Sequence, residues 1–358
     1  MLSLVLAVTC LTAQADSTRL ITSDIPNFWR AYDLAAGKDS TERVRAFQTA
    51  YLQPGSPGLR NFMWIRLSNR DTVRARMIAA GWTAARMDSL GRLPRGSPGR
   101  DSLNRALEPL VERSAAEQLV RRLSTFPRYY AAIRARTLSV DTSTQVTSEI
   151  RRGLARLTEM YPEAKFPNIY FLIGTTSTGG TADWSGMMIG TELYAGDSTT
   201  PRDELPAWSQ EAFRGLSFAN LPGLVIHEAA HTQQKPRPDG EKNTLLRHAL
   251  VEGGADFLAE LAVGPADSPR QRYGLAHEHA VWVDFQDEMA TDSTITKWMY
   301  NGRVSPDSNH GAVDIGYFVG YRIAQAYYRR ATDKRAAVRE LLELRNPHEL
   351  LAKSGYSP

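Results

Sequence analysis

Apolar positions along the chain fall into two textures. Through the N-terminal half they recur at helical spacing between turn signals, and after residue 166 a short stretch carries the β-branched and aromatic content of strands. Asp39-Ser40-Thr41-Glu42 has the residue types of a helix N-terminus and opens a helical pattern through Tyr51, which stops at Gln53-Pro54-Gly55-Ser56-Pro57-Gly58. Further helices are predicted over 71–85, 102–123 and 142–160, with Leu93 to Gly99 as a plain loop. Phe166 to Ile173 reads as a strand ended by Gly174, and Met187 to Ile189 as a second, with the polar, Gly-rich run Thr175 to Thr181 between them. From residue 219 onward the pattern is helical again, broken at Lys235-Pro236-Arg237-Pro238-Asp239-Gly240. The expected fold is α+β and mainly α-helical. No repeat of fixed period and no low-complexity tract is visible, which excludes a solenoid.

Composition narrows the classes. The chain has 358 residues, 42% of them hydrophobic and 23% charged, which suits one large or two medium folded domains and excludes disorder. It has no transmembrane span, because no apolar run reaches the roughly 20 residues that a bilayer crossing needs. Met1 to Ala15 carries a short apolar core and ends in Ala13-Gln14-Ala15, the small-x-small pattern of a signal-peptide cut near Ala15, so an extracytoplasmic protein, periplasmic or secreted, is expected. Val8 and Thr9 are poor neighbours for a lipidated Cys10, and a lipoprotein form is not expected. Cys10 is the single cysteine, so any metal must be held by His, Asp or Glu.

The net charge of +4 hides an asymmetry: residues 60–156 hold 19 basic and 8 acidic residues, whereas residues 157–358 hold 19 and 26. All 19 basic residues of the middle segment are arginine, spread out rather than clustered, which fits solvated helix faces better than a nucleic-acid surface. The expected organisation is a signal peptide over 1–15, an arginine-rich helical region over 16–160 and a metal-bearing domain over 161–358.

The sharpest chemical signal is His227-Glu228-Ala229-Ala230-His231, which is His-Glu-x-x-His. Histidines at i and i+4 share one helix face, so both imidazoles can reach one ion with Glu228 beside it. Leu224, Val225 and Ile226 just before the motif mark a buried helix, where two histidines and a glutamate are costly unless something pairs them. Twenty-one residues on, Glu252 stands in a second helical pattern with Asp256 one turn later. Glu252 can be the third ligand, and Asp256 can accept the free N–H of a ligating histidine. Two nitrogens and a carboxylate in a tetrahedral set suit Zn²⁺.

These residues resemble the gluzincin type of zinc metallopeptidase and, through Gly179-Gly180-Thr181, Ile189-Gly190-Thr191-Glu192 and Asp314 to Tyr321, the uncharacterised bacterial zinc-dependent proteases of the peptidase-MA-like group. The resemblance covers residues 166–330. It implies a zincin-like domain with a small sheet beside the motif helix and a strand lining the substrate cleft, here expected from 168–174 and 187–193. It also implies an exported hydrolase acting on a peptide or protein substrate, with Glu228 as general base and Tyr317 as donor to the oxyanion, Tyr321 and His310 being the reserves. His277 and His279 point to different faces of a helix and do not make a second site. His248 shares the face of Glu252. The alternatives are a non-catalytic, metal-containing envelope binding protein and a zinc amidase acting on a non-ribosomal amide.

Overall fold

Capping chemistry sets most helix starts. The computed structural model describes residues 18–94, 97–140, 143–183, 185–266, 268–301 and 311–358. The expected signal peptide, Cys10 and His310 lie outside the described residues. Among the described residues there are seventeen α-helices and one four-stranded mixed sheet. Asp39 accepts the Glu42 N–H at 2.9 Å, as its sequence context predicts. The predicted helix over 71–85 is two helices, α1 (Arg70–Ala79) and α2 (Ala84–Gly91), because the chain turns at Gly81-Trp82. The expected loop from Leu93 to Gly99 is shorter than its composition suggests. Pro98 and Gly99 already belong to α3 (Pro98–Thr125), with Ser97 accepting the Arg100 N–H, since proline at a first helical position loses no hydrogen bond.

The sheet has four strands where the sequence pattern indicated two. β1 (Leu20–Ile21), β2 (Ile169–Leu172) and β4 (Gly186–Gly190) run parallel, and β3 (Gly180–Asp183) is the antiparallel edge in the order β1-β2-β4-β3. The expected cleft-lining strands are therefore interior. β2 lies between β1 and β4, and β4 between β2 and β3. The edge is Gly-Thr-Ala-Asp, taken from the run that reads as a polar loop; its poor β-propensity is overridden by pairing with the apolar β4, from Gly180 opposite Ile189 to Asp183 opposite Gly186.

Below the sheet end, Glu192 is buried, with Oε1 accepting the Thr176 N–H and, among the described residues, no partner for Oε2. Burial pushes its pKa up to about 7 against the opposing backbone hydrogen bonds and Arg122.

The remaining helices build two cores around α6 (Leu245–Val263), which Thr244 caps and which is apolar nearly all round. Such a helix is buried on more than one side. Ala255, Leu258, Ala259 and Ala262 join a core with the sheet, with α4 (Thr144–Met160) and with Val225, Ile226 and Ala229 of α5 (Leu221–Gln233). Leu246, Ala249, Leu250 and Phe257 join a second core with Phe318, Val319 and Ile323 of α8 (Ile315–Arg330), and α7 (Pro269–Ala276) packs on α8 beside it. α6 and α8 cross at glycines. A Cβ on Gly320 would stand 1.7 Å from the Ala249 carbonyl oxygen, and one on Gly253 would stand 2.1 Å from the Tyr321 nitrogen. Only glycine permits that approach. Among the described residues no helix is long and apolar enough to cross a membrane.

Two measurements test this packing. Gly320→Ala must push α8 off α6 and is expected to cost about 3 kcal/mol in denaturant unfolding; a loss under about 1 kcal/mol would mean that the crossing is not tight. Glu192 holds its proton more firmly folded than unfolded, so its contribution to stability is full below its ordinary pKa of 4.5 and is lost as pH rises toward 7. Glu192→Gln is expected to flatten that fall and to gain on the order of 3 kcal/mol on the wild type above neutrality, relative to their difference in acid. Parallel stability–pH curves would contradict it.

Candidate metal centre

α5 brings His227 and His231 to one face and α6 brings Glu252 to meet them. His227 Nε2 and His231 Nε2 are 2.9 Å apart, and Glu252 Oε2 lies 3.4 Å from the first and 3.2 Å from the second. The three side chains offer one ligand atom each within 4.8 Å of one another, a group that can hold a metal ion. They line a cleft of about 980 Å³ that is also bounded by β3, α7 and the start of α8.

The surrounding hydrogen bonds fix which atoms are free to ligate. His227 Nδ1 meets Asp256 Oδ1 at 2.8 Å, and His231 Nδ1 meets Gln234 Oε1 at 2.8 Å. Both partners are acceptors, so both Nδ1 atoms carry protons and both Nε2 lone pairs face the common point. Gln234 is itself held by donating to the Val251 carbonyl at 2.7 Å, and Asp256 by accepting from Arg270 Nη2 at 2.7 Å. Tyr300 donates to Glu252 Oε1 at 2.9 Å, which leaves Oε2 for an ion.

The buried groups at that point stabilise one another's charges. Burial opposes ionisation of Glu252, but His227 and His231 hold its carboxyl well below the usual range. Burial likewise opposes charge on His227, yet Asp256 and Glu252 outweigh it and push its pKa up to about 10. A metal can supply this positive charge in place of a proton. Buried oxygen and nitrogen donors of this kind fit a divalent ion, and the donor set fits the expectation drawn from spacing.

Glu228 is buried beside the ligands, and its pKa is raised chiefly by burial. A Cβ on Gly180 would lie 2.5 Å from Glu228 Oε1, so glycine is what lets β3 pass over this carboxyl. Tyr317 lines the cleft with its ring stacked on His227 at 6.5 Å and the Arg270 guanidinium 4.4 Å from its ring centre. Tyr321 is engaged elsewhere, donating to Glu260 at 2.6 Å and accepting from Gln325 at 2.9 Å. His248 reaches the ligands only through Tyr300, whose hydroxyl is 3.1 Å from its Nδ1. His277 stacks on Tyr273 and His279 meets the Pro358 carbonyl, so neither approaches the centre.

The sequence reading missed Tyr300, Arg270 and Gln234. Gln234 was accessible in principle, as the residue three beyond His231. Tyr300 and Arg270 carry no local signal, because their places depend on loops folding back over α6. Tyr300 sits at φ 58°, an uncommon conformation for a bulky side chain, next to Asn301. Asn301 and Asp314 exchange backbone-to-side-chain hydrogen bonds at 2.7 Å each way, which holds this turn against the start of α8.

Residues 113–358 match a lipoprotein family model described as gliding motility protein GldB. No curated protein and no solved structure matches the chain. The family match overturns the gluzincin and peptidase-MA-like resemblance, and with it the expectation of a metallopeptidase or other hydrolase. No enzymatic family is indicated. The physical reason is that His-Glu-x-x-His with Glu-x-x-x-Asp specifies only how two helices deliver three donors and an orienting carboxylate to one point. That constraint belongs to the metal geometry, whatever the protein does with it. The matched region extends well beyond the motif, from the arginine-rich helices to the C-terminus.

Asp256→Asn tests the orienting contact. It keeps an acceptor for His227 Nδ1 but removes the charge, and metal affinity is expected to fall 10- to 100-fold in competition with a chelating dye. Unchanged affinity would show that Asp256 serves only as the partner of Arg270.

Proposed function

The chain belongs to the gliding motility protein GldB family, and from that premise we propose that it is a membrane-anchored, extracytoplasmic component of a gliding apparatus that holds a zinc ion in its cleft. The three-donor cluster of His227, His231 and Glu252 is the observation that carries the metal part of this reading. Two imidazoles and one carboxylate favour zinc over magnesium or calcium, which prefer all-oxygen sites. When bound, zinc would supply a Lewis-acid position within the cleft for a donor atom of a partner.

The chain's own residues define what such a partner meets. Asp256 and Gln234 hold the imidazoles in one tautomer, and Tyr300 restricts Glu252 to one ligating oxygen. Glu228 and Tyr317 line the same cleft and offer hydrogen-bonding groups beside the ligands. Every ligand comes from the segment 161–358. The lipoprotein label of the family reverses the expectation of an unlipidated protein and points to Cys10, the single cysteine, as the anchor.

Replacing the gene in its bacterium by alleles encoding Cys10→Ser, His231→Ala or Glu252→Gln tests each part, with colony spreading and zinc content of the purified proteins measured together. The wild type is expected to hold about one zinc per chain. His231→Ala and Glu252→Gln are expected to lose both zinc and spreading at normal protein levels, and Cys10→Ser to lose the lipid and come off membranes in high salt. A deletion strain that spreads normally would overturn the motility role. Zinc-free variants that support spreading would overturn the part given to the metal.

A further inference from the structure

The turn between α1 and α2, each of which packs on α3, exposes an apolar tip that the metal centre does not explain. The tip reads Ile78-Ala79-Ala80-Gly81-Trp82-Thr83-Ala84-Ala85. Ile78 is 54% exposed, all four alanines are exposed, and Trp82 is half-buried. Val73 and Met77, one turn back, are buried in the main core and fix α1 to the body of the protein. Trp82 is packed in part against the same core, whereas Ile78 and the four alanines have no such cover.

Behind the tip stand arginines. Arg70 and Arg74 precede Ile78 by eight and four residues, so all three share one face of α1, and both arginines are exposed without an acidic partner among the described residues. Arg86 lies over the Trp82 ring at 4.3 Å. Arg76, by contrast, is neutralised by Glu117, which accepts from its Nη2 at 2.7 Å. The residues 70–92 contain five arginines and two acids, Asp71 and Asp88.

We propose that this corner is a docking surface for an anionic lipid bilayer, with Ile78 and the exposed alanines beside it entering the interface and Arg70, Arg74 and Arg86 at headgroup level. An exposed isoleucine among exposed alanines, with three arginines on the same two helices, suits the interface between water and acyl chains. The small alanines let the backbone of the tip approach that surface closely. A nucleic acid or an acidic polysaccharide would engage the arginines and leave Ile78 without a role. Stable membrane attachment generally takes two signals, and a docking corner would add to a lipid anchor while fixing orientation. The proposal does not depend on the metal centre.

The test uses the full-length Cys10→Ser chain, so that binding is independent of any lipid, with vesicles of phosphatidylcholine containing about one third phosphatidylglycerol, and others of phosphatidylcholine alone. Co-sedimentation is expected with the anionic vesicles, weakening as salt rises. Each arginine contributes roughly five-fold, so Arg70→Glu with Arg74→Glu is expected to cut binding at least about 25-fold. Ile78→Asp and Ala79→Asp change exposed positions and leave the fold intact by circular dichroism, and each is expected to weaken binding about ten-fold or more. An environment-sensitive dye at Ala80→Cys is expected to shift to the blue on anionic vesicles. No sedimentation with either vesicle would overturn the proposal. So would binding that the tip substitutions leave unchanged and that a soluble polyanion displaces, since that is an arginine surface for a polymer.

Discussion

Glu252 and Asp256 are carried into the interior by a helix that is apolar on nearly every side, and the surrounding structure is arranged to compensate those two carboxylates. Unpaired, either charge would cost more than a typical domain can spare. Asp256 is held between His227 and Arg270, and Glu252 between two imidazoles and the hydroxyl of Tyr300. Within this network the two Nε2 atoms and Glu252 Oε2 converge on one point. That is where a divalent cation fits.

The same requirement explains why helix packing around α6 is so close. Glu252 and Tyr317 belong to different elements, and they share one cleft because Gly253 and Gly320 let α6 and α8 cross with almost no separation. On the other side, Gly180 lets the edge strand pass directly over Glu228. Glycines set the distances, and the charged groups then find partners within reach. The arginine-rich N-terminal region is tied in similarly: Arg128 pairs with Asp203 and Glu204, and Arg136 with Asp197, so part of its charge is met by the acidic half of the chain.

Family membership separates what the centre is from what it is for. The geometry of His227, His231 and Glu252 is one that can hold a metal ion, and their spacing in the sequence places them on facing helices. Its use is a property of the whole surface, which the motif does not encode. A resemblance built on twenty residues followed the spacing of the donor groups, while the match over residues 113–358 reports the shared ancestry of nearly all the helices around them.

By itself the sequence determined the helical texture, the break at Lys235 to Gly240, two of the four strands, and the grouping of His227, His231 and Glu252 with Asp256, because helical periodicity and i, i+4 spacing are local properties. It did not determine β1 or β3, which are too short or too polar to be strands without a neighbour to pair with. Nor did it reveal Tyr300 or Arg270, whose hydrogen bonds to Glu252 and Asp256 span 48 and 14 residues. Those contacts exist only once two cores close on opposite sides of α6, and a long-range contact between buried charges leaves no periodic trace in the chain.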